Sequence, residues 1–187
     1  HPDEKFVNLK DISLSTNSPI ELKKLTFEAS ILQDNRSDLK NFHIITAKSD
    51  VVINEAYIEN LNPLKEKVIY ENFKDKNAYI DLLAEKFDAD ELVYFLPSLS
   101  FLDGKVYVEL KADGKYDNIN IRNFIVRTNN SYLTATGNIL NLHEPKKLYL
   151  DVNVKKADLD PSDTKNNLPG LPIPDYSHLG KVNASFT

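Results

Sequence analysis

Between residues 105 and 155 the chain repeatedly alternates apolar and polar side chains with a period of two. Val106, Val108 and Leu110 alternate with Tyr107 and Glu109, and Ile119 and Ile121 alternate with Asn118, Asn120 and Arg122. Phe124 and Val126 flank Ile125. Leu133, Ala135 and Gly137 alternate with Thr134, Thr136 and Asn138, and Leu148, Leu150, Val152 and Val154 with Tyr149, Asp151, Asn153 and Lys155. In an extended chain successive side chains point to opposite faces, so each run reads as a strand with one dry and one wet face. The first forty residues contribute similar material: Ile12 and Leu14, then Leu25, Phe27 and Ala29. "LDG" at 102–104 and "ADG" at 112–114 read as turns between runs.

Helix is scarce. The best candidate is "ADELVYFLP" at 89–97, with Asp90 placed to cap it and Pro97 to stop it. A shorter helical turn fits after Asp160-Pro161, since proline suits the first helical position. "EKVIYENFKDK" at 66–76 is ambiguous. Strands with almost no intervening helix predict an all-β fold with an antiparallel sheet.

The chain also repeats itself. Tyr79-Ile80-Asp81-Leu82 matches Tyr149-Leu150-Asp151-Val152 at an offset of 70, and Lys86, Asp88 and Asp90 match Lys156, Asp158 and Asp160 at the same offset. Leu96-Pro97-Ser98-Leu99 then matches Leu168-Pro169-Gly170-Leu171. Leu102, Gly104, Lys105 and Val106 match Leu179, Gly180, Lys181 and Val182. Upstream, 41–53 parallels 123–135 at an offset of 82. The unit is therefore about 70–80 residues, and stacked units of this kind predict a quasi-one-dimensional array. The organisation read from the sequence is the end of a preceding β repeat at 1–40, one unit at 41–110, and at 111–187 a second unit with the start of a third. The abrupt opening "HPDEKFVNL", the ending "KVNASFT" and the absence of methionine read as a segment of a longer protein.

Composition narrows the function classes. With 41% apolar and 27% charged residues over 187 positions, the chain has the means to bury a core. Its 23 basic residues are scattered among 28 acidic ones, so the footprint of a nucleic-acid binder is missing. Cysteine is absent, which removes disulfide and thiolate chemistry. His1, His43, His143 and His178 show no metal-ligand spacing and read as exposed turn residues. "DLDPSD" at 158–163 and "DGKYDNIN" at 113–120 lack the spacing of a calcium loop and read as capping and turn residues. There is no P-loop, GxGxxG or GxSxG, and no tryptophan to serve as a sugar platform. The expectation is a protein without catalysis, cofactor or metal. Tyr94, Phe95 and Phe101 read first as residues that pack a short helix onto the sheet.

Three stretches carry a family resemblance: "DADELVYFLPSLSFLDGKVYVEL" (88–110), "NFIVRTNNSYLTATGNILNL" (123–142) and "LYLDVNVKKADL" (148–159). Together they resemble the AsmA-like superfamily, in particular the TamB translocation and assembly proteins of Bacteroidota, over roughly residues 40–187. The resemblance implies an elongated, curled antiparallel sheet forming a trough. It further implies a periplasmic protein anchored in the inner membrane by a segment outside this chain. Its partners would be phospholipid acyl chains and a BamA-like outer-membrane barrel, its role phospholipid transport between the membranes and support of outer-membrane protein assembly. The residues expected to line the groove are Val106, Val108, Leu110, Ile119, Ile121, Leu133, Ala135, Leu150, Val152 and Val154. The competing expectation is an extracytoplasmic β-sandwich that binds carbohydrate or protein through loops such as 60–77 or 160–178.

Overall fold

The computed structural model describes residues 5–14, 21–67, 69–88, 90–91, 104–144, 146–163 and 182–186. Among them the chain is all-β. Its strands are β1 (Lys5–Leu14), β2 (Leu22–Ile31), β3 (Ser37–Thr46), β4 (Asp50–Ile58), β5 (Ala78–Asp88), β6 (Lys105–Lys115), β7 (Asn118–Arg127), β8 (Tyr132–Leu140), β9 (Tyr149–Leu159) and β10 (Val182–Phe186). A one-turn helix, α1 (Tyr70–Phe73), lies between β4 and β5. No helix among the described residues is long and apolar enough to cross a membrane.

The ten strands form one sheet in sequence order, each antiparallel to the next. β1 and β10 are its two edges, so the sheet is open. Nine inter-strand spacings make it about 43 Å across. Every pairing except β3–β4 carries a register shift. Each extra residue bends its strand and adds twist. Distributed along the meander, these bulges curl the sheet.

The written repeat becomes a repeated corner. The Ser49 N–H donates to Thr46 Oγ1 at 2.8 Å, and the Ser131 N–H donates to Thr128 Oγ1 at 2.9 Å. The Asp88 N–H donates to Ser49 Oγ at 3.1 Å, and the Asp160 N–H to Ser131 Oγ at 2.9 Å. The Thr46 hydroxyl then donates to Glu91, and the Thr128 hydroxyl to Asp163. Asp88 is thus the counterpart of Asp160, and Glu91 of Asp163, an offset of 72 where the sequence alignment used 70. Both offsets are even, so both keep every side chain on its face. Alternation alone has no power to separate them.

Other local expectations shift as well. The Asp90 N–H donates to Asp88 Oδ1 at 3.2 Å, so Asp88 does the capping expected of Asp90. Residues 161–163 form the expected helical turn, with the Ser162 N–H on Asp160 Oδ1 at 2.9 Å. "ADG" lies within β6, and the hairpin turn is Tyr116–Asp117 instead. Gly114 has φ +122°, and a Cβ there would collide with the Asn118 carbonyl, so this glycine serves the close approach of β7. His43 sits on β3, not in a turn, with its Nε2 2.8 Å from Asp50 on β4. His143 does lie in a loop. Its Nδ1 is 2.5 Å from Asp117, in a cluster where α1 meets the β6–β7 turn: the Tyr70 ring centroid lies 5.3 Å from that of Tyr116 and 5.5 Å from that of His143. His1, His178, Tyr94, Phe95, Phe101 and the Leu-Pro-x-Leu phrases lie outside the described residues.

Candidate functional site: an apolar sheet face

Directly paired residues share a face of a sheet, so the register assigns each side chain to one side. One row runs Phe42, Ile53, Leu82, Leu110, Phe124, Ala135 and Val154 across β3 to β9. Another runs Ile44, Val51, Ala84, Val108, Val126, Leu133 and Ala157. Between β2 and β9 no paired position on this face carries a charge. All ten residues expected to line a groove fall on it: Val106 opposite Phe87, Val108, Leu110, Ile119, Ile121, Leu133, Ala135, Leu150, Val152 and Val154. β1 to β4 extend the same face, which the sequence reading left largely unassigned. Their alternation was legible in Leu25, Phe27 and Ala29 and, for β4, in Val51 and Ile53.

Burial tells whether this face is covered. Its buried residues are Ala84, Ala112, Ala135 and Ala157, with Val154 at 6% exposure. The larger Phe42, Ile53, Leu82, Leu110 and Phe124 stay half-buried. A face packed against a second layer buries its large side chains first. Here only small ones vanish, shaded by their larger neighbours, so no second sheet covers this face among the described residues. Among the described residues the one nearly inaccessible large side chain, Leu61 at 1%, is in a loop. A two-layer sandwich is therefore not the architecture of the described strands.

The opposite face carries the charged and aromatic pairs, interspersed with apolar positions such as Val52, Leu83 and Ile125. Asp38, Tyr57, Tyr79, Asp113 and Asn120 form one of its rows. The Tyr57 and Tyr79 rings stack at 5.4 Å, Arg36 lies 3.9 Å over Tyr57, and Arg122 lies 6.0 Å from the Tyr79 centroid. Each of these two rings thus lies against the other ring and a guanidinium. Arg122 binds Asp113 at 2.5 Å. That guanidinium holds the Asp113 carboxyl below its ordinary range, and the carboxylate raises Arg122 in turn. The hydrogen bond from Lys111 to Asp81, at 2.8 Å, likewise raises the lysine. These ion pairs lie on the wet face, away from the apolar one.

Gly137 fixes the closest approach within the second unit. It has φ +150°, and a Cβ there would strike the Asp151 carbonyl and come within 2.8 Å of Val152 Cα. Its bareness lets β8 and β9 lie together and places Val152 beside Leu133 and Ala135 in one apolar cluster. The described residues hold no cluster of three or more His, Cys, Asp or Glu suited to a metal ion. Each methylene that an apolar face removes from water is worth about 0.8 kcal/mol. No protein-family model matches the sequence, and no curated protein or solved structure matches it.

Proposed function

We propose that this chain is a segment of a lipid-conducting protein, whose curled sheet shields phospholipid acyl chains from water along its apolar face. The observation that supports this reading is the continuous, uncharged face spanning β2 to β9 with its large side chains half-buried. A contiguous apolar sheet face left without a covering layer among the described residues fits a hydrophobic occupant. The resemblance to AsmA-like proteins points to the same ligand. It further places the protein in the periplasm, with an inner-membrane anchor outside this chain and a BamA-like barrel as partner of the whole protein. No catalytic step belongs to this reading.

The test is denaturing lipid extraction of the purified chain followed by mass spectrometry, with a closed β-sandwich from the same host as control. Stoichiometric phospholipid is expected. Phospholipid no higher than in the control would overturn the reading.

A further inference from the structure

The apolar face has a depression at one margin. Val7, Ala29, Leu39 and Ala56 form one cross-strand row of β1 to β4, and Lys5, Ile31, Ser37 and Ile58 form the next. Two alanines in the inner row remove side-chain bulk where the flanking rows keep it. The loop after β4 brings Pro63 and Leu64 to one side of them as a partial roof, and together these residues line a groove of about 470 Å³ that stays open to solvent. That lies in the size range of small-molecule sites.

The roof is held from below. The Leu61 carbonyl accepts the Ser37 hydroxyl at 2.7 Å, and the Leu61 side chain is buried. Asn62 Oδ1 accepts the Leu64 N–H at 3.0 Å, and Glu66 Oε1 accepts the Asn62 N–H at 3.3 Å. The cavity is therefore preformed. Its walls are almost wholly hydrocarbon, and Asp38 at its border is already bound by Arg36 at 2.6 Å. Lys5, on the same face, stands at the rim.

We propose that this cavity seats the hydrocarbon tail of one single-chain anionic amphiphile of the long-chain fatty carboxylate class, with Lys5 beside the carboxylate. A groove of about 470 Å³ suits one hydrocarbon chain, with Lys5 as the cation among its lining residues. The proposal rests on the lipid-binding reading above and adds to it a distinct site, ligand class and orientation.

The test is fluorescence titration of cis-parinaric acid into the whole 187-residue chain. One saturable site is expected. Ala56→Trp, which fills the cavity from its floor, should abolish it. Leu64→Asp puts a charge on the roof at an exposed position that the sheet does not need, and should weaken binding at least about tenfold. Thr134→Asp, on the wet face of β8 opposite Lys156, should leave this site unchanged. Parental affinity in both Ala56→Trp and Leu64→Asp would overturn the proposal, as would an equal loss of the site in Thr134→Asp. No saturable binding to the parent chain would overturn it too, and the phospholipid extraction then decides the broader reading separately.

Discussion

Thr46 and Glu91 are 45 positions apart, and their side chains are joined by a hydrogen bond in a corner where both are buried. Thr128 and Asp163 repeat that bond in the second unit. In each corner the threonine hydroxyl also accepts the N–H three residues on, closing the β3–β4 and β7–β8 turns. Each threonine thus ties a hairpin to the segment that leaves the next strand. Thr46→Val strands the buried Glu91 carboxylate and the Ser49 amide and should cost about 1–3 kcal/mol, while Thr128→Val, after which Asn130 still holds Asp163, should cost less. Four strand spacings, about 19 Å, separate the corners, so the two losses should add within about 0.5 kcal/mol. Urea denaturation of the single and double variants measures this.

Gly137→Ala should be the most damaging single-methyl substitution in β8. The added Cβ meets the Asp151 carbonyl, backbone that has no rotamer through which to yield, at a φ that L side chains rarely adopt. A loss of about 2 kcal/mol or more is expected. Hydrogen exchange should localise it to β8 and β9, and protection equal to the parent in those strands would refute the account.

Acid should loosen the second corner. Burial pushes the Asp163 carboxyl up, but hydrogen bonds from Thr128, Ser131 and Asn130 outweigh it and hold the group below its ordinary 3.8. A carboxyl depressed in the folded state stabilises that state fully above its unfolded value, and the contribution is lost as pH falls through the folded value. The stability gap between parent and Asp163→Asn should be constant at neutral pH and shrink as pH drops below about 4. Thermal melts from pH 7 to 3 test this. A gap that widens on acidification contradicts it.

The two faces should respond oppositely to charge. Val108→Asp and Val152→Asp place a carboxylate where no paired position is charged, and retained phospholipid should fall severalfold in each. Thr134→Asp, on the wet face of β8 beside Lys156, should leave it unchanged. Lipid analysis of folded variants decides the matter, and equal lipid in all three would remove Val108 and Val152 from the lining.

Breaking the tyrosine stack should affect stability alone. Tyr79→Ala removes both the ring stacked on Tyr57 and the surface beneath Arg122. About 1 kcal/mol of stability should be lost, with lipid content as in the parent. Calorimetry and extraction of the same sample report both.

Much of this protein was legible along the chain because a strand's periodicity is a local property. Val106, Val108 and Leu110, or Leu150, Val152 and Val154, declare a dry face without knowledge of any neighbour. With so little helix between them, such runs leave an antiparallel sheet as the outcome. The duplicated text likewise announced a duplicated module. The tertiary structure decided what depends on partners distant in sequence. Alternation cannot distinguish an offset of 70 from one of 72, and only the bonds from Ser49 to Asp88 and from Ser131 to Asp160 fixed it. "ADG" resembles a turn until Asn118 is found against Gly114. The cavity of β1 to β4 needed Ala29 and Ala56, 27 positions apart, to meet beside Leu39 beneath a loop anchored on Ser37. Whether a dry face is covered is likewise a question about what lies opposite it. Periodicity determines which side of a strand avoids water, but only the arrangement of all ten strands shows that side still open among the described residues.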